Sequence, residues 1–102
     1  MLPRHLPMLR KPMKIAANAT IAHLKMHVDQ AAVSPIEIID GAANVVFDDL
    51  TVSSTNEQSL VKVVGTGQKV TIRNGSLLLT SGKSNQSGFN IQNGGHENTI
   101  TA

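Results

Sequence analysis

One two-strand template occurs three times between Ile36 and Ala102, and it restricts the fold more than any other feature of the chain. Ile36-x-Ile38 is followed, after six intervening residues, by Val45-x-Phe47; Val61-x-Val63 by Val70-x-Ile72; and Phe89-x-Ile91 by Asn98-x-Ile100. The starts are offset by 25 and then 28 residues, and Asn98 alone among the twelve template positions is not apolar. Each pair is joined through a glycine-containing turn: Asp40-Gly41, Gly65-Thr66-Gly67 and Asn93-Gly94-Gly95. A further apolar alternation follows the second strand in two copies, at Leu50-Thr51-Val52 and Leu77-Leu78-Leu79.

Alternation over three residues buries too little to hold an isolated hairpin together. Three such strands per repeat, joined by tight turns and recurring at this interval, instead describe one coil of a parallel β-helix. Inward residues then stack on their equivalents one coil away, and the backbone hydrogen bonds run between coils. The expected columns are Ile36/Val61/Phe89, Ile38/Val63/Ile91, Val45/Val70/Asn98 and Phe47/Ile72/Ile100. Asn98 fits better if the last strand is shifted by one residue, so that it ladders with turn asparagines such as Asn44. The alternative fold is a small antiparallel β-sandwich or meander of the same short strands. Asn74-Gly75, a good hairpin dipeptide, keeps it open, whereas the stretches 53–59 and 81–88 are longer than hairpin turns.

The phrases Gln68-Lys69-Val70-Thr71-Ile72-Arg73-Asn74-Gly75 and Asn44-Val45-Val46-Phe47 resemble the coil motif of right-handed parallel β-helices, as in pectin-lyase-like proteins and tailed-phage tailspikes. The resemblance covers residues 36–102, about two-thirds of the chain. It implies an all-β fold, here of about three coils where family members have many more, and carries no activity with it.

The division of the chain follows charge. Up to His27 there are five basic residues and no acid; beyond it, four basic residues face seven acidic ones. We expect an extended arm at 1–14, a linker and cap segment at 15–35 and the β-helix domain at 36–102. Pro3, Pro7 and Pro12 forbid a regular helix in the arm. Its apolar and basic residues, Leu2, Arg4, Leu6, Met8, Leu9, Arg10, Lys11, Met13 and Lys14, are the expected partner-binding set. Residues 15–28 read two ways, as a helix from the stripe Ile15, Ala19, Ala22 and Met26, or as a strand from the alternation through Leu24, Met26 and Val28. His23 and His27, four apart, would share a helical face, but no third metal ligand lies nearby. On a strand they simply point outward.

Chemistry is sparse. The chain has no Cys, Trp or Tyr and only two Phe, so a disulfide framework, a thiolate metal site and a cysteine nucleophile are excluded. Asp48-Asp49 is the one acidic pair and reads as a solvated turn. Glu97 beside His96 lacks an obvious nucleophile, and Ser76, Ser81 and Ser84 sit in polar turns without a G-x-S-x-G context. No catalytic, cofactor or metal residue is expected. No apolar run approaches the roughly 20 residues that span a bilayer, so no membrane partner is expected. The absence of stacking aromatics argues against nucleic acid.

The expected core is the stack Ile36, Ile38, Val45, Phe47, Val61, Val63, Val70, Ile72, Phe89, Ile91 and Ile100. Built almost wholly from aliphatic residues, it is small for about 100 residues, and its last coil has nothing in this chain to cover it. The expectation is therefore a non-enzymatic assembly protein that oligomerises as a trimer. By resemblance it is a phage capsid cement (decoration) protein on the virion surface, stapling the major capsid protein or another virion protein through its arm. The alternatives are a tail or baseplate component, or a glycan-binding β-helix module.

Overall fold

The computed structural model describes residues 8–82, 86–91 and 98–102. It contains ten strands: β1 (Met8–Leu9), β2 (Met13–Ile15), β3 (Ala19–Val28), β4 (Ile36–Ile38), β5 (Asn44–Ser54), β6 (Val61–Val63), β7 (Lys69–Arg73), β8 (Leu77–Leu79), β9 (Phe89–Ile91) and β10 (Thr99–Thr101). Every pairing between them is parallel. One sheet runs β2-β4-β6-β9 and the other β1-β3-β5-β7-β10, with β8 also paired to β5. The chain is thus a parallel β-solenoid of about three turns. The antiparallel alternative is excluded, and residues 19–28 are strand rather than helix.

Inward columns form where the alternation placed them. Ile36 pairs in register with Val61 and Val61 with Phe89, while Ile38, Val63 and Ile91 follow likewise. Val45 pairs with Val70 and Phe47 with Ile72. The side chains of Ile36, Ile38, Val45, Phe47, Val61, Val63 and Val70 are buried. Each contributes about 1.5–3 kcal/mol relative to exposure.

Three features differ from the sequence reading. First, the stack begins earlier. Met13 pairs with Ile36 and Ile15 with Ile38, Ala19 with Val45 and Ile21 with Phe47, and Leu9 with Met26. Residues 8–15 are extended, as expected, but they lie along the next turn instead of standing apart from it. β2 crosses the expected boundary at residue 14, and the segment expected to cap the stack is itself part of it. Leu9, Met13 and Ile15 are drawn in because each completes an apolar column.

Second, the last strand is shifted by two residues, not one. Ile100 pairs with Val70 rather than Ile72, and Asn98 lies beside Gln68 rather than in an inward column or against Asn44. An inward Asn98 would have its amide without partners. In its actual place Oδ1 accepts from the Gln68 N–H at 2.7 Å and Nδ2 donates to the Gly65 carbonyl at 2.9 Å.

Third, β3 and β5 bend midway. His23 has φ 52° and Asp49 φ 54°, and the register places the two side by side; Asn74, at the same corner one turn on, has φ 55°. Asp, Asn and His are the residues that tolerate left-handed backbone best after glycine. The third turn carries one extra residue at this corner, Gly75, and the strand splits there into β7 and β8. Ser76 fills the gap: its hydroxyl accepts from the Leu50 N–H at 2.9 Å and donates to the Arg73 carbonyl at 2.9 Å.

Candidate functional site: flank, corner and ends of the solenoid

Outward residues of successive turns are neighbours about 4.8 Å apart, so residues some 26 apart in sequence form each surface cluster. On the flank made by β3, β5 and β8, His27 pairs with Ser53 and Ser53 with Leu79. His27 Nδ1 lies 2.7 Å from Ser53 Oγ, and Nε2 lies 2.8 Å from Asp29 Oδ1. Thr55 Oγ1 donates to the same Asp29 oxygen at 3.0 Å. The Ser53 hydroxyl also donates to the Met26 carbonyl at 3.4 Å.

A hydroxyl, an imidazole and a carboxylate in this order are the components of a nucleophile–base–carboxylate chain. At Ser53 the strand is flanked on both sides, by β3 and β8, so its peptide groups lie within the ladder. What the chain does physically is tether the second turn to the first.

At the corner, Asp48 receives two hydrogen bonds from the next turn, from Asn74 Nδ2 at 2.8 Å and from Arg73 Nε at 3.1 Å. The Asn74 bond is the main cause that holds the Asp48 carboxyl below the ordinary aspartate value; Arg73 adds to it, and partial desolvation opposes it. Asp49 Oδ2 meets His23 Nδ1 at 3.0 Å. The acidic pair therefore divides at the bend, each carboxylate serving a different turn. His23 is exposed and His27 half-buried. Among the described residues no group of three His, Cys, Asp or Glu is placed to hold a metal ion.

On the opposite sheet the outward residues Lys14, Glu37 and Lys62 follow one another in register. They line a shallow pocket of about 140 Å³ together with Val33, Ser34 and Gln58.

The apolar surface is distributed in two ways. Leu77 and Leu79 point outward from β8 and are 51% and 47% exposed. Ile91 and Ile100 occupy inward columns yet are 45% and 37% exposed, because no further turn covers them among the described residues. Of the expected partner-binding set, Leu2, Arg4 and Leu6 lie outside the described residues. Met8, Arg10, Lys11 and Lys14 are exposed, while Leu9 and Met13 are half-buried against the core.

Buried amides stitch the turns, and neither of the two that do most stands in a functional motif of the sequence. Gln68, 2% exposed, donates through Nε2 to the Ile39 and Ala42 carbonyls, both at 2.8 Å, and accepts from the Gly65 N–H. Asn56 Nδ2 donates to the Gln30 and Val33 carbonyls. The signal was an amide side chain recurring near equivalent turns, at Asn18, Gln68 and Asn98. No protein-family model, curated protein or solved structure matches this chain.

Proposed function

We propose that this chain is a non-enzymatic assembly protein: a capsid decoration (cement) protein of a tailed phage that works as a trimer of solenoids packed flank to flank. The observation that supports it best is the pair Leu77 and Leu79, large aliphatic side chains exposed on the outward face of β8. Isolated apolar residues on a surface are ordinary, but two on the outward face of one edge strand make a surface suited to a partner. The capsid setting follows from the resemblance of the repeat to phage β-helices. Arg10, Lys11 and Lys14, all exposed, supply positive charge with which the N-terminal stretch engages an acidic neighbour. The Ser53–His27–Asp29 chain is read as a tether because a hydrolase would need donors aimed at the oxyanion.

The test is the mass in solution by light scattering, for the wild-type chain and for Leu79→Lys. A trimer that Leu79→Lys reduces to monomer, with the circular dichroism spectrum retained, is expected. A wild-type chain that stays monomeric at high concentration, or a trimer indifferent to Leu79→Lys, would overturn the flank-to-flank arrangement. Cosedimentation with purified tailed-phage capsids tests the setting.

A further inference from the structure

The two ends of the solenoid are complementary in register, in phase and in shape. At one end the edges are β1, β2 and the first half of β3. At the other they are β8, β9 and β10, each of which pairs on one side only among the described residues. Follow the columns through the molecule. Leu9 leads through Met26 and Val52 to Leu78. Met13 leads through Ile36 and Val61 to Phe89, and Ile15 through Ile38 and Val63 to Ile91. Ala19 leads through Val45 and Val70 to Ile100. Each of these four columns has four layers, apolar from first to last.

The ends are also stepped. β1 stands one layer outside β3, so it projects beyond the first half of that strand. β8 lies on β5, one layer below β10, which lies on β7. One end therefore carries a projecting strand where the other carries a recess, at the same place on the circuit.

We infer that copies of this chain stack head to tail along the solenoid axis, with β1 of one copy seated in the step over β8 of the next. A translation of four layers, about 19 Å at the usual strand spacing, satisfies all three contacts at once. It sets Leu9 over Leu78, Met13 over Phe89, Ile15 over Ile91 and Ala19 over Ile100, and so buries the two exposed inward-column residues at the open end. It also joins Met8, 48% exposed, to Leu77, 51% exposed, because Met8, Lys25, Thr51 and Leu77 form one outward column. Lys14 falls over Asn90, continuing the column Lys14, Glu37, Lys62 and Asn90 without placing like charges together. The occupant is a second copy because three separate edges match in phase and their steps interlock. Such a contact is heterologous and does not close, so the product is an open column of copies. It uses the ends of the solenoid and shares only Leu77 with the flank-to-flank packing proposed above.

The chain has no cysteine, which permits a direct test by cross-linking. Full-length Met8→Cys and Leu77→Cys, both at exposed positions, are prepared singly, checked by circular dichroism, mixed and oxidised. A disulfide heterodimer in the mixture, with little homodimer from either variant alone, is expected, because neighbouring strands place equivalent residues within disulfide reach. The double variant should give a covalent ladder. Ile91→Pro, which removes a donor on the open edge of β9 while the bonds of Gly88 and Asn90 toward β6 remain, should suppress ladder formation while the monomer stays folded. Homodimers in preference to the heterodimer, or no cross-link at any concentration, would overturn the inference. Adding Leu79→Lys separates the two ideas: it dissolves a flank-to-flank trimer and leaves the axial ladder intact.

Discussion

The side chain of Asn98 accepts a hydrogen bond from the backbone N–H of Gln68 at 2.7 Å, and this contact sets the register of the last strand. With Asn98 held there, Ile100 falls opposite Val70. Asn98→Val restores the apolar template and removes the contact. The expected result is a shift of the last strand toward the Ile72 register, read by NMR as loss of the Ile100–Val70 contact and gain of one between Ile100 and Ile72. Asn98→Ala should instead destabilise by about 1–2 kcal/mol without a new register. An unchanged Ile100–Val70 contact in Asn98→Val would refute the assignment.

Gln68 is the polar group on which the second and third turns depend. Gln68→Met keeps the volume but takes the side-chain partner from the Ala42 carbonyl and the Gly65 N–H, and leaves the Ile39 carbonyl only the Ala42 N–H. A loss on the order of 3 kcal/mol in urea unfolding is expected, since each unsatisfied buried group costs about 1–3 kcal/mol. Gly65→Ala should act on the same contact, because a Cβ there would lie 2.6 Å from Gln68 Cδ.

The corner at His23 tests backbone conformation apart from packing. His23 is exposed, and its contact with Asp49 is lost equally in either replacement below. His23→Val places a β-branched residue at φ 52° and should cost about 1–2 kcal/mol, whereas His23→Gly should cost less despite removing more atoms. Thermal unfolding of the two variants gives the order.

Acid lability should include a contribution from Asp48. Its carboxyl is held below the unfolded value of about 3.9, chiefly by Asn74. The folded state therefore binds the proton less readily than the unfolded chain. Its contribution to stability is complete above that pH range and is lost as pH falls through the folded value. Asn74→Ala should flatten the stability profile below about pH 4, and urea midpoints measured from neutral pH downward would show it. A profile of wild-type steepness would remove Asp48 from the account.

Ser53 separates a tether from a nucleophile. Ser53→Ala should cost about 1 kcal/mol, and wild-type protein should not be labelled by a fluorophosphonate. Stoichiometric labelling at Ser53 that His27→Ala abolishes would overturn the non-enzymatic reading.

Much of the fold was legible because inward and outward phase is a local property of a strand. Val61-x-Val63 declares its buried face within three residues, and the column from Ile36 to Phe89 followed from phase alone. The errors came from turn length. From one inward column to the next along the chain there are three residues between Ile15 and Ala19, six between Ile38 and Val45 and between Val63 and Val70, and eight between Ile91 and Ile100. A template with fixed spacing therefore missed the earliest turn and misplaced the last strand. Closing a turn of three or eight residues changes the free energy little, so chain physics near the turn does not select its length. The clusters on the surface were hidden for a related reason: His27 and Ser53 become neighbours only through the pitch of the solenoid.

The sequence by itself determined an all-β chain of stacked aliphatic columns, because a period of two over Val, Ile, Leu and Phe admits few other burials. Only the tertiary structure decided where those columns begin and end. That depends on Gln68, Asn98 and Asp48 meeting partners 25 to 33 residues away. Such polar contacts exist only once the turns are stacked, since they satisfy groups that stacking alone removes from water.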